Sequence, residues 1–205
     1  MLAPSTISLA IPQTKTPQQI SQQRQQLRQT LRQKRAKLSL NQQQQASQNI
    51  SQQALKLIQQ RQAKHIALYL PFDHEIDTTP LIHALWQQKQ EVYLPVLHPF
   101  SPGYLLFINY RPNTAMIKNR FGIFQPKLDV RQILPLNQLD IIFTPLVGFD
   151  SKHNRLGMGG GFYDRTLQNW QQTSIYPVGL AYACQQVKKI PTQAWDIGLA
   201  KVLVA

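Results

Sequence analysis

The chain has 205 residues, 42% of them hydrophobic, with 22 Lys and Arg against 9 Asp and Glu, for a net charge of +13. That length suffices for one sizeable domain with a real core, while the apolar runs fall far short of the roughly 20 residues that cross a bilayer. No secretory leader is expected, and a lone Cys184 excludes an intrachain disulfide framework and suits a reducing, cytoplasmic setting.

Residues 1–17 hold three prolines and no strong periodicity, and read as a flexible extension ahead of a domain over 18–205. Ile20, Leu27, Leu31 and Leu38 then recur at helical spacing. Ser39 is placed to cap a second helix with Ala46, Ile50, Ala54, Leu57 and Ile58 on one face, and the apolar spacing survives the many intervening glutamines. Residues 66–70 form a strand-like run. Thr79 before Pro80 starts a helix whose buried face is Leu81, Ile82, Leu85 and Trp86. Further strands are expected at 91–97, 104–108, 140–144, 177–181 and 201–204, with helix-compatible spacing over Tyr163 to Trp170. Strands interleaved with helical segments predict an α/β domain built on a mostly parallel sheet.

The most informative stretch is Arg155–Arg165, where four of the 9 glycines fall within five positions between two arginines, with Asp164 following. Glycine admits positive φ and lets backbone N–H groups approach a ligand. Such N–H groups opening onto a helix suit phosphate, arginine neutralises its charge, and an aspartate can hold the accompanying Mg²⁺. The alternative is a tight surface loop with a capping aspartate. The stretch lacks the Gly-Lys-Ser/Thr ending of a Walker loop, and the dinucleotide pattern begun at Gly157 and Gly159 fails at Phe162.

No carboxylate precedes Asp73, whereas Lys15, Arg24, Arg28, Arg32, Lys34, Arg35, Lys37, Lys56, Arg61 and Lys64 do, so this half attracts anions. Nucleic acid, a multiply charged small molecule and a plainly solvated helix face all fit that charge. Glu75 lies just beyond the first strand, where ligands collect in open α/β sheets, and has no evident local duty. Asp77 is placed to help begin the next helix. Asp150 reads equally as structural or functional, and Asp196 as a turn residue or a second metal ligand. His74 is a remote candidate for touching a ligand. The five histidines lack zinc-ligand spacing, and no G-x-S-x-G elbow is present. Cys184 reads as a small buried hydrophobe between strand-like alanines.

In order along the chain, Leu27-Arg28, Arg35–Ser39, Glu75–Thr78, Phe121–Pro126, Asp140–Asp150, Arg155–Arg165, Ile190-Pro191 and Trp195-Asp196 resemble the motifs of the 5-formyltetrahydrofolate cyclo-ligase family, over about Gln23 to Val204. The resemblance implies a single Rossmann-like α/β domain. It also implies ATP- and Mg²⁺-dependent closure of 5-formyltetrahydrofolate, or of its polyglutamylated forms, to 5,10-methenyltetrahydrofolate, with ADP and phosphate released. By position it implies that Arg24, Arg28, Arg155, Leu156, Gly157, Met158, Gly159, Gly160, Gly161, Phe162 and Tyr163 bind ATP. Asp164 and Asp196 would hold Mg²⁺, and Leu70, Glu75 and Phe121 would contact the folate. Arg155, Tyr163 and Asp164 are the expected catalytic residues. Arg24 stands where the family usually has lysine, Phe162 where tyrosine is frequent, and Met158 where Tyr or Arg is common. The competing readings are a basic nucleic-acid-binding protein and a small-molecule kinase using the same loop; neither nucleic acid nor a membrane is the expected partner.

Overall fold

A computed structural model of the chain describes residues 16–205. Helices α1 (Pro17–Ala36) and α2 (Leu40–Arg61) lead into strand β1 (His65–Ala67), helix α3 (Thr79–Gln87), and strands β2 (Glu91–Leu97) and β3 (Leu105–Asn109). Short strands β4 (Met116–Lys118), β5 (Phe124–Pro126) and β6 (Ile133–Leu134) follow, then β7 (Ile141–Thr144), β8 (Gly148–Phe149) and β9 (Arg155–Leu156). Helix α4 (Phe162–Thr166), β10 (Tyr176–Ala181) and β11 (Lys201–Val204) complete the chain.

The central sheet has 7 strands in the order β11-β10-β7-β1-β2-β3-β6. The pairings from β11 through β2 are parallel, and β3 and β6 extend that edge antiparallel. The mostly parallel α/β fold expected from the sequence is therefore present. From β1 the chain crosses to β2 on one side and later to β7 on the other, so the strand order reverses between β1 and β7. In doubly wound sheets that is where a crevice opens at the strands' carboxyl ends.

Alternating side chains clothe the two faces. Ile66, Leu68, Val92, Leu94, Ile141 and Phe143 point to one face, where Ile50, Ala54, Leu57 and Ile58 of α2 and Leu81, Ile82 and Leu85 of α3 cover them. Ala67, Tyr93 and Ile142 point to the other, against Phe107, Leu139, Leu167 and Ile175. Each fully buried Leu, Ile or Phe contributes about 1.5–3 kcal/mol of burial free energy. Pro95 in β2 lies beyond the stretch paired with β1, so its missing N–H leaves that ladder intact.

Local chemistry explains most boundaries. Ser39 and Gln42 form a reciprocal capping box at the start of α2, as expected. Thr16 and Gln19 do the same for α1, which moves the edge of the expected extension: Pro17 is already helical, because proline suits a first helical turn. The rest of that extension lies outside the described residues. Asp77 Oδ1 accepts the Thr79 N–H at 2.9 Å, its anticipated task at the start of α3. β1 ends three residues earlier than expected, although the Leu68 N–H still bonds the Tyr93 carbonyl at 2.9 Å. The helix expected from Tyr163 to Trp170 shrinks to the five residues of α4, and residues 170–172 make a separate 3₁₀ turn. Cys184 is half-buried in another 3₁₀ turn, not between strands.

Candidate active site

A cavity of about 1090 Å³ opens at the carboxyl ends of β1 and β7, lined there by Tyr69, Leu70, Pro145 and Leu146. The glycine loop forms one wall. The hairpin β8–β9 stands between β7 and that loop, so the loop springs from a two-residue strand and not directly from the sheet. Leu156 belongs to this hairpin: it is fully buried, and its carbonyl accepts the Val147 N–H at 2.7 Å. Leu156 thus supports the loop from behind and, alone among the expected loop contacts from Arg155 to Tyr163, does not line the cavity.

Gly157 through Asp164 line the cavity continuously. Gly159 and Gly161 hold φ of 106° and 67°, conformations that side chains resist. At Gly161 a Cβ would also meet the Arg165 guanidinium at 2.9 Å. Arg165 is a brace: its Nε donates to the Gly103 carbonyl at 3.0 Å and its Nη2 to the Gly160 carbonyl, tying the loop to the β2–β3 turn.

The loop's charge comes from Arg155 and α1. Arg155 is 5% exposed; its Nη2 donates to Asp164 Oδ1 at 2.6 Å, and its guanidinium lies 5.5 Å from the Tyr163 ring centre. Its Nε is buried without a hydrogen-bond partner. An unsatisfied buried donor costs about 1–3 kcal/mol, so such an atom in a cavity wall fits an anionic ligand that would offset the loss. Arg28 Nε donates to the Gly157 carbonyl at 2.8 Å, leaving the rest of its guanidinium beside Gly159. Burial, then repulsion from Arg24, lowers the Arg28 pKa. Arg24 grips both oxygens of Asp196 and the Pro191 carbonyl, the latter at 2.8 Å.

The two expected metal ligands therefore differ. Asp164 bonds Arg155 and, at 3.4 Å, the Ile197 N–H through Oδ1 alone, leaving Oδ2 without a protein partner among the described residues. Asp196 has both oxygens engaged by Arg24. No group of three or more His, Cys, Asp or Glu gathers for a metal among the described residues. Mg²⁺ needs no such cage, since one or two carboxylates plus phosphate oxygens and water complete its octahedron.

Leu70, Glu75 and Phe121 all reach the opposite wall. Glu75 does have a local bond, because its Oε2 accepts the Phe72 N–H at 3.1 Å. Burial pushes its carboxyl up to about 7, with the Arg35 charge pulling it back. Burial, followed by the Glu75 charge, likewise raises the Tyr163 phenol far above its ordinary range, so Tyr163 stays a hydrogen-bond donor. Phe121 meets Phe162 edge-on, centroids 5.9 Å apart, closing the aromatic rim between the β4–β5 hairpin and the glycine loop. Composition alone did not single out Tyr69, Phe124 or Trp195, which also line this space. The position of Tyr69 at the carboxyl end of the strand expected over 66–70 was the available signal for the first.

Other candidates fall away from the site. Asp150 is structural: burial works against its charge, but N–H groups of Ile190, Asn154 and Lys152 hold its carboxyl below the usual range. His74 is exposed and absent from the lining.

Residues 20–205 match the 5-formyltetrahydrofolate cyclo-ligase family. A 5-formyltetrahydrofolate cyclo-ligase of Haemophilus influenzae is 62% identical over 184 residues, spanning 90% of this chain and 98% of its own length. One from Escherichia coli K12 is 51% identical over 173 residues, spanning 84% and 95%. A solved 5,10-methenyltetrahydrofolate synthetase of Aquifex aeolicus superposes with a TM-score of 0.74 at 28% identity, covering 88% of this chain and 89% of that one. Its counterpart from Mycoplasma pneumoniae gives 0.69 at 26%, covering 87% and 96%. With identity that high along nearly the whole length, from α1 to β11, the chain belongs to the 5-formyltetrahydrofolate cyclo-ligase family.

Proposed function

We propose that this chain cyclises 5-formyltetrahydrofolate to 5,10-methenyltetrahydrofolate, consuming ATP with Mg²⁺ and releasing ADP and phosphate. The observation that carries the reading is the convergence, in one cavity, of a cationic glycine loop and a wall built from Glu75, Leu70 and Phe121. When bound, ATP supplies the phosphoryl group that makes the formamide oxygen a competent leaving group, and Mg²⁺ neutralises the phosphates.

The protein's share is orientation and electrostatics. Arg155, Arg28 and the N–H groups of Gly157 to Gly161 would hold the phosphates, with the orphaned Arg155 Nε among their donors. Asp164 would present its free oxygen to Mg²⁺. Asp196, next to the Ile197 N–H that reaches Asp164, would join it by sharing its oxygens with Arg24. Glu75 would accept hydrogen bonds from the reduced pterin or its neighbouring amine, while Tyr163 donates from across the cavity. Phe121 and Phe162 would flank the ring system and keep water from the reacting carbon. The second amine nitrogen would bond to the formyl carbon as the carbon–oxygen bond breaks, and the oxygen would depart in hydrogen phosphate, which carries away the proton that nitrogen loses. Asp164, Arg155 and Tyr163 border this space.

Mixing the protein with Mg-ATP and 5-formyltetrahydrofolate, and following the near-ultraviolet absorbance of the methenyl product, tests the proposal. Stoichiometric product, ADP and phosphate are expected. ATP consumption that leaves a phosphorylated, uncyclised product would move the assignment to a small-molecule kinase.

A further inference from the structure

The turn that presents Glu75 is an unfavourable one. Residues 72–75 close on themselves through Glu75 N–H to the Phe72 carbonyl and Phe72 N–H to Glu75 Oε2, both at 3.1 Å. The two central residues, Asp73 and His74, have φ of 52° and 59°. Positive φ is uncommon outside glycine, and although Asp and His tolerate it better than most residues, two in succession still cost free energy that contacts from the surroundings offset.

Helix α1 supplies that hold. Arg35 is 1% exposed, and its Nη2 donates to the Asp73 carbonyl at 2.5 Å and to Asp73 Oδ2 at 2.7 Å. Its Nη1 reaches the Leu146 carbonyl at 3.2 Å, beyond the end of β7. Arg32 closes on both Asp73 oxygens, at 2.8 and 3.0 Å. Arg24, Arg28, Arg32 and Arg35 follow one another at helical spacing on α1, so the rigid element that grips the glycine loop also grips the Glu75 turn.

We propose that Arg32 and Arg35, acting through Asp73, are positioning residues for Glu75, holding its carboxyl at the folate wall in register with the nucleotide wall. The proposal rests on the cyclo-ligase reading above. Removing the clamp lets the turn relax and Glu75 swing, which weakens folate binding without touching a phosphate contact.

Asp73→Gly tests this, because glycine keeps the left-handed backbone while removing the carboxylate that both arginines hold. Affinity for 5-formyltetrahydrofolate is measured calorimetrically, and KM for ATP by turnover, with and without Glu75→Gln. Asp73→Gly is expected to weaken folate affinity about tenfold and to leave the ATP KM within about twofold. With Glu75→Gln already present, it should cost less than about twofold more, since it acts through the group already altered. Should Asp73→Gly fail to fold, Arg32→Gln removes the exposed half of the clamp and should show the same pattern at about threefold. Equal losses in both backgrounds, undiminished folate affinity, or a matching rise in ATP KM would overturn the positioning role while leaving the activity assigned. A wild-type protein that neither binds nor cyclises 5-formyltetrahydrofolate would instead overturn the functional reading.

Discussion

At the scale of single residues, the site works through carboxylates in contrasting environments. Arg155 holds one oxygen of Asp164, and the other, without a protein partner among the described residues, is the one proposed for Mg²⁺. Asp164→Asn removes the charge but not the shape, so turnover should fall and the Mg²⁺ concentration for half-maximal rate should rise about tenfold or more, because Mg²⁺ prefers anionic oxygen. A titration of rate against Mg²⁺ checks this, and an unchanged midpoint would reduce Asp164 to a helix-start residue. Glu75 is the opposite case, a carboxyl raised to about 7 chiefly by burial. Its folded pKa exceeds its unfolded one, so the native state binds the proton more tightly, and Glu75 destabilises the fold increasingly as pH rises from about 4.5 through 7. Glu75→Gln should therefore stabilise the protein at pH about 8, by at most about 3 kcal/mol, with the gain fading by pH about 5. Urea denaturation at the two pH values checks this. The same variant should raise the folate KM more than the ATP KM, marking a residue kept for function at the expense of stability.

At the scale of elements, the glycine loop is rigid by construction. Gly161 precedes α4 at a φ of 67°, and a methyl group there would both strain the backbone and meet Arg165. Gly161→Ala should cost about 1–2 kcal/mol from the left-handed conformation alone. The displaced N–H groups should raise the ATP KM; thermal unfolding and steady-state kinetics read the two effects separately. This loop was legible in the sequence because glycine, arginine and aspartate announce themselves by type. So were α1, α2, α3 and the long strands, whose apolar periods match their geometry. The hairpins β4–β5 and β8–β9 were not, since strands of two or three residues carry too little period to register, and their pairing is fixed by turns and by what they pack on. Helix α4 was overestimated for a related reason: Leu167 continues the apolar spacing, but it faces the core from beyond the helix end. The role of Arg32 and Arg35 was also hidden. On a strip of basic residues nothing distinguishes an arginine that folds inward to Asp73 from one that faces water, and the partner is about forty residues away in sequence.

At the scale of the whole molecule, the same inward turning changes what the net charge of +13 means. The basic N-terminal half reads in sequence as one that attracts anions, with nucleic acid, a multiply charged small molecule and a solvated helix face all fitting its charge. In the structure, Arg24 and Arg35 are buried, and Arg24, Arg28, Arg32 and Arg35 all bond to groups across the fold. Arg61 lies 3.7 Å over the Tyr176 ring centre. The exposed lysines on and between α1 and α2, Lys34, Lys37 and Lys56, are interleaved with glutamine and leucine, without the aromatic platforms that bind single-stranded bases. Electrostatic attraction of that kind is screened beyond about 8 Å at physiological salt. Duplex DNA or tRNA should accordingly bind weakly at that ionic strength and leave turnover unchanged. Replacing both Arg24 and Arg28 by Gln should impair ATP use and flatten the salt dependence of the remaining activity, since these charges serve the cavity. The release of Asp196 by Arg24→Gln adds a diagnostic contrast: the double variant should lose ATP affinity more than folate affinity. Tight nucleic-acid binding with an unaltered ATP KM in that variant would reverse the assignment of the basic helix, and filter binding alongside steady-state kinetics distinguishes the outcomes.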